Sequence, residues 1–288
     1  MSILVIVVLA VVQGLTELLP VSSSAHVIMV GKLLGLDPRS PEMTMLLVML
    51  HTGTMFAVIV YFWKSWKATY FASRSAAWRH AVPLVLSTAL TAVVTLSIMA
   101  LIKYGFLRNA PKGEIETLFG NLPLIALSLA LVGLLILYAG RKSLAAAEAP
   151  DETIGTRDAA WIGAVQGLSV CFRGFSRSGA TISTGMVLGG ARRRIEEFSF
   201  ALAVILTPPA LVWEARRLVT SQGDTPRDMG SLAHLFLPGL LGLVCSFAAG
   251  LLALKWLSSW LERGRWHFFG FYCLFAAAVA MALHLAGY

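Results

Sequence analysis

The chain has 288 residues, of which 57% are apolar and only 13% are charged, whereas soluble domains carry about 25% charged residues. This deficit excludes an ordinary soluble protein and indicates an integral membrane protein. The formal charge of +8 does not indicate a nucleic-acid partner, because the basic residues are scattered among short segments and form no basic patch.

Six apolar stretches are long enough to cross a bilayer as helices, which takes about 20 residues each. They are continuous and lack the period-two alternation of a membrane β-barrel, which is therefore excluded. The predicted spans cover residues 43–63, 81–102, 122–140, 197–218, 233–254 and 267–286.

Four further apolar pieces are too short or too polar to span: residues 2–19, 22–35, 159–172 and 178–191. They come in two pairs, and a polar break interrupts each pair. We predict two re-entrant helical hairpins, residues 2–35 and 159–191. Each hairpin enters the membrane, turns at mid-depth and leaves on the side from which it came.

Three predicted spans separate the hairpins, and this odd number gives the two halves of the chain opposite orientations. The predicted fold is all-α: one membrane domain, residues 1–288, with six transmembrane helices and two re-entrant hairpins in an inverted-topology repeat. The repeat units are residues 1–140 and 158–288. The tetrapeptide VQGL, at 12–15 and again at 165–168, is the sequence trace of this repeat.

Basic residues orient the chain. One set of connections is richer in Lys and Arg, mainly through the segment between Lys64 and Arg79. The poorer set includes Arg39, Arg108, Lys112 and Arg227. Because the richer side faces the cytoplasm, we predict that both termini lie outside.

The first break, in VQGLTELLPVSSSAH (12–26), concentrates polar groups at membrane depth. Gln13 and Glu17 are four residues apart and share one helical face. An ionisable group inside a membrane is costly and is a functional candidate by default. Packing against a cation is the alternative role for Glu17. His51, within the first span, is interpreted as a packed, hydrogen-bonded histidine.

After Pro20 stops the first helix, three serines begin the next one. For Ser22 and Ser24 helix capping is the expected role. Ser23 and His26 are three residues apart and share a face of the new helix. His26, like Glu17, is a functional candidate of this break.

The second break, GFSRSGAT (174–181), has the character of an anion site. Ser176, Arg177 and Ser178 stand at the start of a helix, whose free N–H groups attract anions, and Thr181 follows one turn later. The forked guanidinium of Arg177 suits phosphate. The alternative is a buried ion pair between Arg177 and Glu17, and the two roles are compatible if substrate displaces the carboxylate.

These breaks resemble a known family. QGLTELLPVSSSAH (13–26) is similar to the (E/Q)GxxExxPVSSxxH region of bacitracin-resistance type undecaprenyl-pyrophosphate phosphatases, and RGFSRSGATIS (173–183) is similar to their PGxSRSGxT region. The spacing of the motifs, the FSFALAV continuation at 198–204 and the overall length also agree. The resemblance therefore covers essentially the whole chain.

The resemblance implies a bacterial inner-membrane phosphatase that removes the terminal phosphate of undecaprenyl pyrophosphate from the outer, periplasmic side. It would regenerate the monophosphate carrier for cell-wall assembly and confer bacitracin resistance. The implied catalytic residues are Glu17, Ser23, His26 and Arg177. With the arguments above, the candidate substrate contacts are Gln13, Ser22, Arg173, Ser176, Ser178 and Thr181.

The resemblance also implies a divalent cation, Mg²⁺ or Ca²⁺, held by Glu17 and Gln13 together with pyrophosphate oxygens. Two positions depart from the usual pattern. The first acidic position is Gln13, which leaves one carboxylate in the motif. Arg173 replaces the usual proline, as either an added phosphate contact or a loosened turn.

Several alternatives stay open at this stage. Ser23 is the nucleophile with His26 as its base, or His26 itself attacks or activates a water. A lipid transporter is the rival from another class, since inverted repeats with broken helices are transporter architecture. A second lipid-phosphatase superfamily, with SGH and SR motifs, fits less well because SSSAH lacks the glycine. The sequence leaves a monomer and a homodimer open.

Overall fold

The computed structural model describes residues 1–37, 40–106, 121–145, 153–221 and 229–288. Within these ranges the regular elements are ten α-helices and one short π-helix, Ile102–Phe106. The helices are α1 (Ile3–Leu18), α2 (Ser23–Leu33), α3 (Pro41–Tyr70), α4 (Arg74–Leu101), α5 (Leu122–Ala145), α6 (Thr156–Cys171), α7 (Arg177–Leu188), α8 (Arg192–Ser221), α9 (Met229–Glu262) and α10 (His267–Leu285).

Six of these helices contain stretches long and apolar enough to cross a membrane by length and composition. The stretches are Glu42–Tyr70, Arg74–Gly105, Leu122–Ser143, Arg192–Val212, Phe236–Glu262 and His267–Leu285. The six predicted spans are thus confirmed. Four of the basic residues used to orient the chain lie outside the described residues: Arg39, Arg108, Lys112 and Arg227.

The four short apolar pieces are the helices α1, α2, α6 and α7. With 16, 11, 16 and 12 residues, they are about 24, 17, 24 and 18 Å long at ~1.5 Å per residue. Each is shorter than the ~30 Å hydrocarbon core. α1 packs on α2, and α6 packs on α7. Each break therefore joins two short helices that lie side by side.

The repeated VQGL segments lie in close helix contacts between the two halves of the chain. α1 packs on α9, and α6 packs on α4. A Cβ added at Gly14 would lie 2.6 Å from Ala249 Cβ, and one added at Gly167 would lie 2.7 Å from Val94 Cβ. Glycine lets these backbones approach, as small residues do between membrane helices. Each VQGL helix is thereby held against a helix of the opposite half.

Local signals explain where several helices begin and turn. The Ser40 and Ser73 hydroxyls accept hydrogen bonds from Met43 N and Ala76 N at the starts of α3 and α4. α7 ends at Gly189, which has the left-handed φ of 91° that glycine adopts without strain. These caps define where α3 and α4 begin and where α7 ends.

Candidate active site

The two breaks meet at one small cavity. It has a volume of about 90 Å³, and its walls come from the C-terminal turns of α1 and α6 and from the start of α2 and α7. Six of the lining residues are Glu17, Ser22, Ser23, Ser176, Arg177 and Ser178. Two helix N-termini, each with positive partial charge, therefore border the same space. An anion with several oxygens suits such a lining.

Glu17 is the hub that joins the two breaks. Its Oε2 accepts hydrogen bonds from Gln13 Nε2 at 3.0 Å and from Ser23 Oγ at 2.5 Å. Its Oε1 accepts from Arg177 Nη2 at 3.2 Å. On α3, His51 Nε2 lies 3.7 Å from Oε2. One carboxylate thus contacts an amide, a hydroxyl, a guanidinium and an imidazole.

The Arg177 guanidinium is only partly paired. Nη2 donates to Glu17, while Nη1 is buried and, within the described residues, has no hydrogen-bond partner. The side chain is 21% exposed, and its Cζ lies 6.0 Å from the centre of the Phe200 ring. A buried donor without a partner is costly. Arg177 therefore has a donor to spare at the wall of the cavity.

The two helix starts differ in how they are capped. Ser176 Oγ accepts from Gly179 N at 3.2 Å, which caps α7. Ser22 precedes α2 but makes no side-chain capping bond, and its hydroxyl lies 3.3 Å from Ser24 Oγ. The capping expected of Ser22 is therefore wrong. Its backbone has a φ of 67°, an uncommon conformation for a non-glycine residue.

The other residues of the second break mainly hold the structure together. Ser178 Oγ donates to the Leu19 carbonyl at 3.3 Å, which ties the second break to the first. Thr181 Oγ1 lies 2.6 Å from Ser199 Oγ and 2.8 Å from the Arg177 carbonyl. The hydroxyl of Thr181 thus anchors the helix that carries Arg177. Arg173 is exposed and is not among the residues that line the cavity.

His26 contacts neither Ser23 Oγ nor Glu17 by a hydrogen bond. Its Nδ1 lies 2.8 Å from the Ser22 carbonyl oxygen, and its Nε2 lies 2.8 Å from the Tyr272 hydroxyl on α10. The Ser23 hydroxyl donates to Glu17 instead. The structure therefore pairs Ser23 with Glu17, and it pairs His26 with the Ser22 carbonyl and Tyr272.

The donor set for a divalent cation is small. Glu17 is the carboxylate of the site, and Gln13 adds an amide next to it. Among the described residues, no group of three or more His, Cys, Asp or Glu side chains converges. A cation with one protein carboxylate suits Mg²⁺ that arrives with phosphate oxygens better than Ca²⁺, which takes six to eight oxygen ligands.

Two residues of this site were not identified as such from the sequence. His51 carried a weak signal, a histidine inside an apolar span. The predicted hydrogen bond is confirmed, since Nδ1 lies 2.8 Å from the Leu47 carbonyl oxygen, but the interpretation missed the proximity of Nε2 to Glu17. Tyr272 carried none, since nothing in its local sequence relates it to His26. His51 approaches Glu17 through the packing of α3, and Tyr272 approaches His26 through the packing of α10 beside the first break.

The description "Bacitracin resistance protein BacA" belongs to the family model that matches residues 6–279. The chain belongs to the BacA family. This confirms the resemblance drawn from the two breaks. The match to BacA spans nearly all ten helices, so the family relationship includes the elements that form the cavity.

Curated relatives agree over nearly full length. Undecaprenyl-diphosphatase 2 of Acinetobacter baylyi is 54% identical over 98% of both chains. Undecaprenyl-diphosphatase of Anaeromyxobacter sp. is 36% identical over 98% of this chain and 88% of its own. Undecaprenyl-diphosphatase of Rhodopirellula baltica is 30% identical over 97% of both chains. These BacA relatives are named as phosphatases, which favours the phosphatase over the transporter.

Proposed function

We propose that this protein is a membrane undecaprenyl-diphosphatase. It hydrolyses undecaprenyl pyrophosphate to undecaprenyl phosphate and inorganic phosphate, which recycles the lipid carrier of cell-wall synthesis and confers bacitracin resistance. The observation that carries the proposal is the buried Nη1 of Arg177, which has no hydrogen-bond partner in the described part of the chain, beside a cavity that two helix N-termini border. The names of the relatives supply the substrate.

A terminal phosphate suits this cavity for electrostatic reasons. Arg177 supplies a forked cation, and the first turns of α2 and α7 supply backbone N–H groups. Catalysis of phosphoryl transfer arises mainly from such neutralisation of charge on the transferred group. The Arg177–Glu17 pair holds the guanidinium until the substrate takes it over.

We assign the role of nucleophile to Ser23 and that of base to Glu17. The short Ser23 Oγ–Glu17 Oε2 hydrogen bond supports this pairing. As Ser23 Oγ attacks the terminal phosphorus, its proton passes to Glu17 and the bond to the bridging oxygen breaks, which releases undecaprenyl phosphate. Once protonated, Glu17 no longer competes with the phosphoryl group for the Arg177 guanidinium, which the substrate has taken over. Water then attacks the phosphorus and the bond to Ser23 Oγ breaks, with His26 accepting a proton from that water. Glu17 returns its proton to Ser23 Oγ, and inorganic phosphate leaves with the proton of His26.

A divalent cation is part of the proposal, since the donors fit Mg²⁺. Before the proton transfer, ionised Glu17 and the side-chain oxygen of Gln13 would hold it together with pyrophosphate oxygens; afterwards Gln13 and the phosphate oxygens would. When bound, the cation neutralises negative charge on the phosphate oxygens. Ser22, Ser176 and Ser178 contribute hydroxyl groups to the same lining, and Thr181 keeps the Arg177 helix in register.

The proposed membrane arrangement has two re-entrant hairpins that enter from opposite faces. The short lengths of α1, α2, α6 and α7 support it. So does the packing between the two halves of the chain, in which α1 contacts α9 and α6 contacts α4. The repeat units are residues 1–140 and 158–288. The protein lies in the bacterial inner membrane, with both termini and the cavity entrance on the periplasmic side. A fusion of alkaline phosphatase to the C-terminus should be active, and an inactive fusion with a fluorescent GFP counterpart would contradict this orientation.

Phosphate release by the purified protein tests the function. In detergent with Mg²⁺, undecaprenyl pyrophosphate should yield one phosphate per lipid, and a chelator should abolish the release. An Arg173→Pro variant should release phosphate at a rate within about threefold of the parent, because Arg173 does not line the cavity. No release with Mg²⁺, or full release with chelator present, would refute the function or the cation respectively. Light scattering of the same sample distinguishes a monomer from a homodimer.

A further inference from the structure

Tyr272 on α10 contacts the candidate catalytic histidine in two ways. Its hydroxyl oxygen lies 2.8 Å from His26 Nε2. Its ring stacks on the imidazole with centroids 5.6 Å apart and planes inclined by 12°. The neighbouring Cys273 Sγ donates to the Pro20 carbonyl of the same break. The contact of α10 with the first break therefore involves consecutive residues and is not a single chance approach.

The partners of His26 determine where its proton lies. Nδ1 is 2.8 Å from the Ser22 carbonyl oxygen, which can only accept, so Nδ1 carries the hydrogen. In a neutral ring Nε2 then has the lone pair, and the Tyr272 hydroxyl donates to it. Both ring nitrogens of His26 are thus occupied.

Backbone geometry at Ser22 makes this arrangement specific. The positive φ of Ser22 lies in a region that non-glycine residues rarely adopt. In that conformation its carbonyl accepts from His26 N at 3.3 Å as well as from Nδ1. One strained residue therefore aims the imidazole from one side, and Tyr272 aims it from the other.

We propose that Tyr272 is a positioning residue of the active site. Its hydroxyl donates to Nε2 and holds the imidazole in place, while the Ser22 carbonyl keeps the proton on Nδ1, so any proton that His26 takes or gives passes through Nε2. This inference rests on the proposed phosphatase function, because it specifies how one residue of that site is prepared. The Ser23 hydroxyl donates its hydrogen bond to Glu17 and takes no part in the contact between Tyr272 and His26.

The direct test is ¹⁵N NMR of the protein with labelled histidine. The chain has six histidines, and the His26 signals are those that disappear in His26→Gln. In the parent, the His26 shifts should report a protonated Nδ1 and a hydrogen-bonded, unprotonated Nε2. In Tyr272→Phe, which keeps the ring and loses the hydroxyl, the Nε2 shift should move toward that of a lone pair without a hydrogen bond, while Nδ1 stays protonated because the Ser22 carbonyl remains.

Kinetics separates positioning from a merely structural role. Tyr272→Phe should lower kcat about tenfold, as one lost hydrogen bond to a reactive group would, and should leave KM unchanged because the phosphate contacts remain. In a His26→Gln background, Tyr272→Phe should have no further effect. The matched control is Tyr138→Phe, at an exposed tyrosine on α5, which should match the parent in both measurements.

Failure of this inference is distinct from failure of the proposed function. If the parent releases no phosphate, the phosphatase proposal fails, and the NMR comparison still decides the tautomer. An active parent with unchanged kcat and unchanged His26 shifts in Tyr272→Phe would overturn the role of Tyr272. His26 shifts that show a protonated Nε2 in the parent would overturn it as well.

Discussion

Arg177→Lys is the substitution that tests the candidate site most sharply. Lysine keeps the positive charge opposite Glu17 but replaces the two-pronged guanidinium with a single nitrogen. Arg177→Ala is less informative, because an unpaired Glu17 carboxylate would cost about 3–5 kcal/mol of stability. In the parent, Nη2 donates to Glu17 Oε1 at 3.2 Å while the buried Nη1 remains for phosphate. A single ammonium cannot serve both partners in the same geometry.

The expected magnitude follows from the loss of one charge-assisted hydrogen bond. Such a bond contributes about 1.5–3 kcal/mol, and each ~1.4 kcal/mol is a factor of ten. We therefore expect kcat/KM for phosphate release to fall by about 10- to 100-fold. Most of the loss should appear in kcat, because charge on the phosphoryl oxygens grows toward the transition state.

The assay is colorimetric phosphate release from undecaprenyl pyrophosphate in detergent, with thermal unfolding measured on the same samples. Arg192→Lys is the matched control. Arg192 Nε donates to Ser143 Oγ at 3.0 Å on α5, away from the residues that line the cavity, so its kcat/KM should not change. Arg177→Lys with the parent's kcat/KM and unfolding temperature would refute the assignment of Arg177 as the phosphate-binding group.

Three further predictions test neighbouring residues. Ser23→Ala should lower kcat at least about 100-fold, since the proposed nucleophile is lost, while Ser2→Ala at the exposed cap of α1 should not; a Ser23→Ala enzyme with near-parent kcat would remove Ser23 from the chemistry. His51→Gln should lower kcat/KM about two- to fivefold, because its 3.7 Å contact with Glu17 is partly solvent-exposed; His284→Gln is its control, and an unchanged rate would show that the contact is unimportant. Gly174→Ala should destabilise the protein by roughly 1–3 kcal/mol, because φ is 102° and a Cβ would lie 2.6 Å from the Ile125 carbonyl oxygen; Gly31→Ala, where a Cβ meets nothing within 4 Å, is the control in thermal unfolding, and equal unfolding temperatures would contradict the argument.

Much of the architecture was predictable because a bilayer imposes simple requirements on a sequence. A helix that crosses must be long and apolar, so the six spans could be read directly from hydropathy. The same requirement identified Glu17 and Arg177 as candidates, since charged side chains within predicted membrane segments are energetically costly and are usually functional. Helix-start chemistry placed Ser176 and Arg177 at the start of a helix, as the structure has them, but it did not predict the behaviour of Ser22.

Ser22 shows where local rules stop. A serine before a helix ordinarily caps it, yet here the chain must turn sharply after Pro20 to bring α2 back beside α1. That turn gives Ser22 its positive φ. The Ser22 carbonyl, rather than its hydroxyl, then accepts a hydrogen bond from His26 Nδ1.

The sequence by itself determined the helical membrane class, the six spans, the two polar breaks and the family. These depend on composition and on residues that are close together along the chain. Only the tertiary structure decided the partners: Ser23 with Glu17, Arg177 with Glu17, His51 beside the carboxylate and Tyr272 on His26. The His26–Tyr272 contact joins residues 246 apart in the chain. Except for Ser23 with Glu17, which are six residues apart, these contacts depend on how α3, α7 and α10 pack around the first break, which no local pattern encodes.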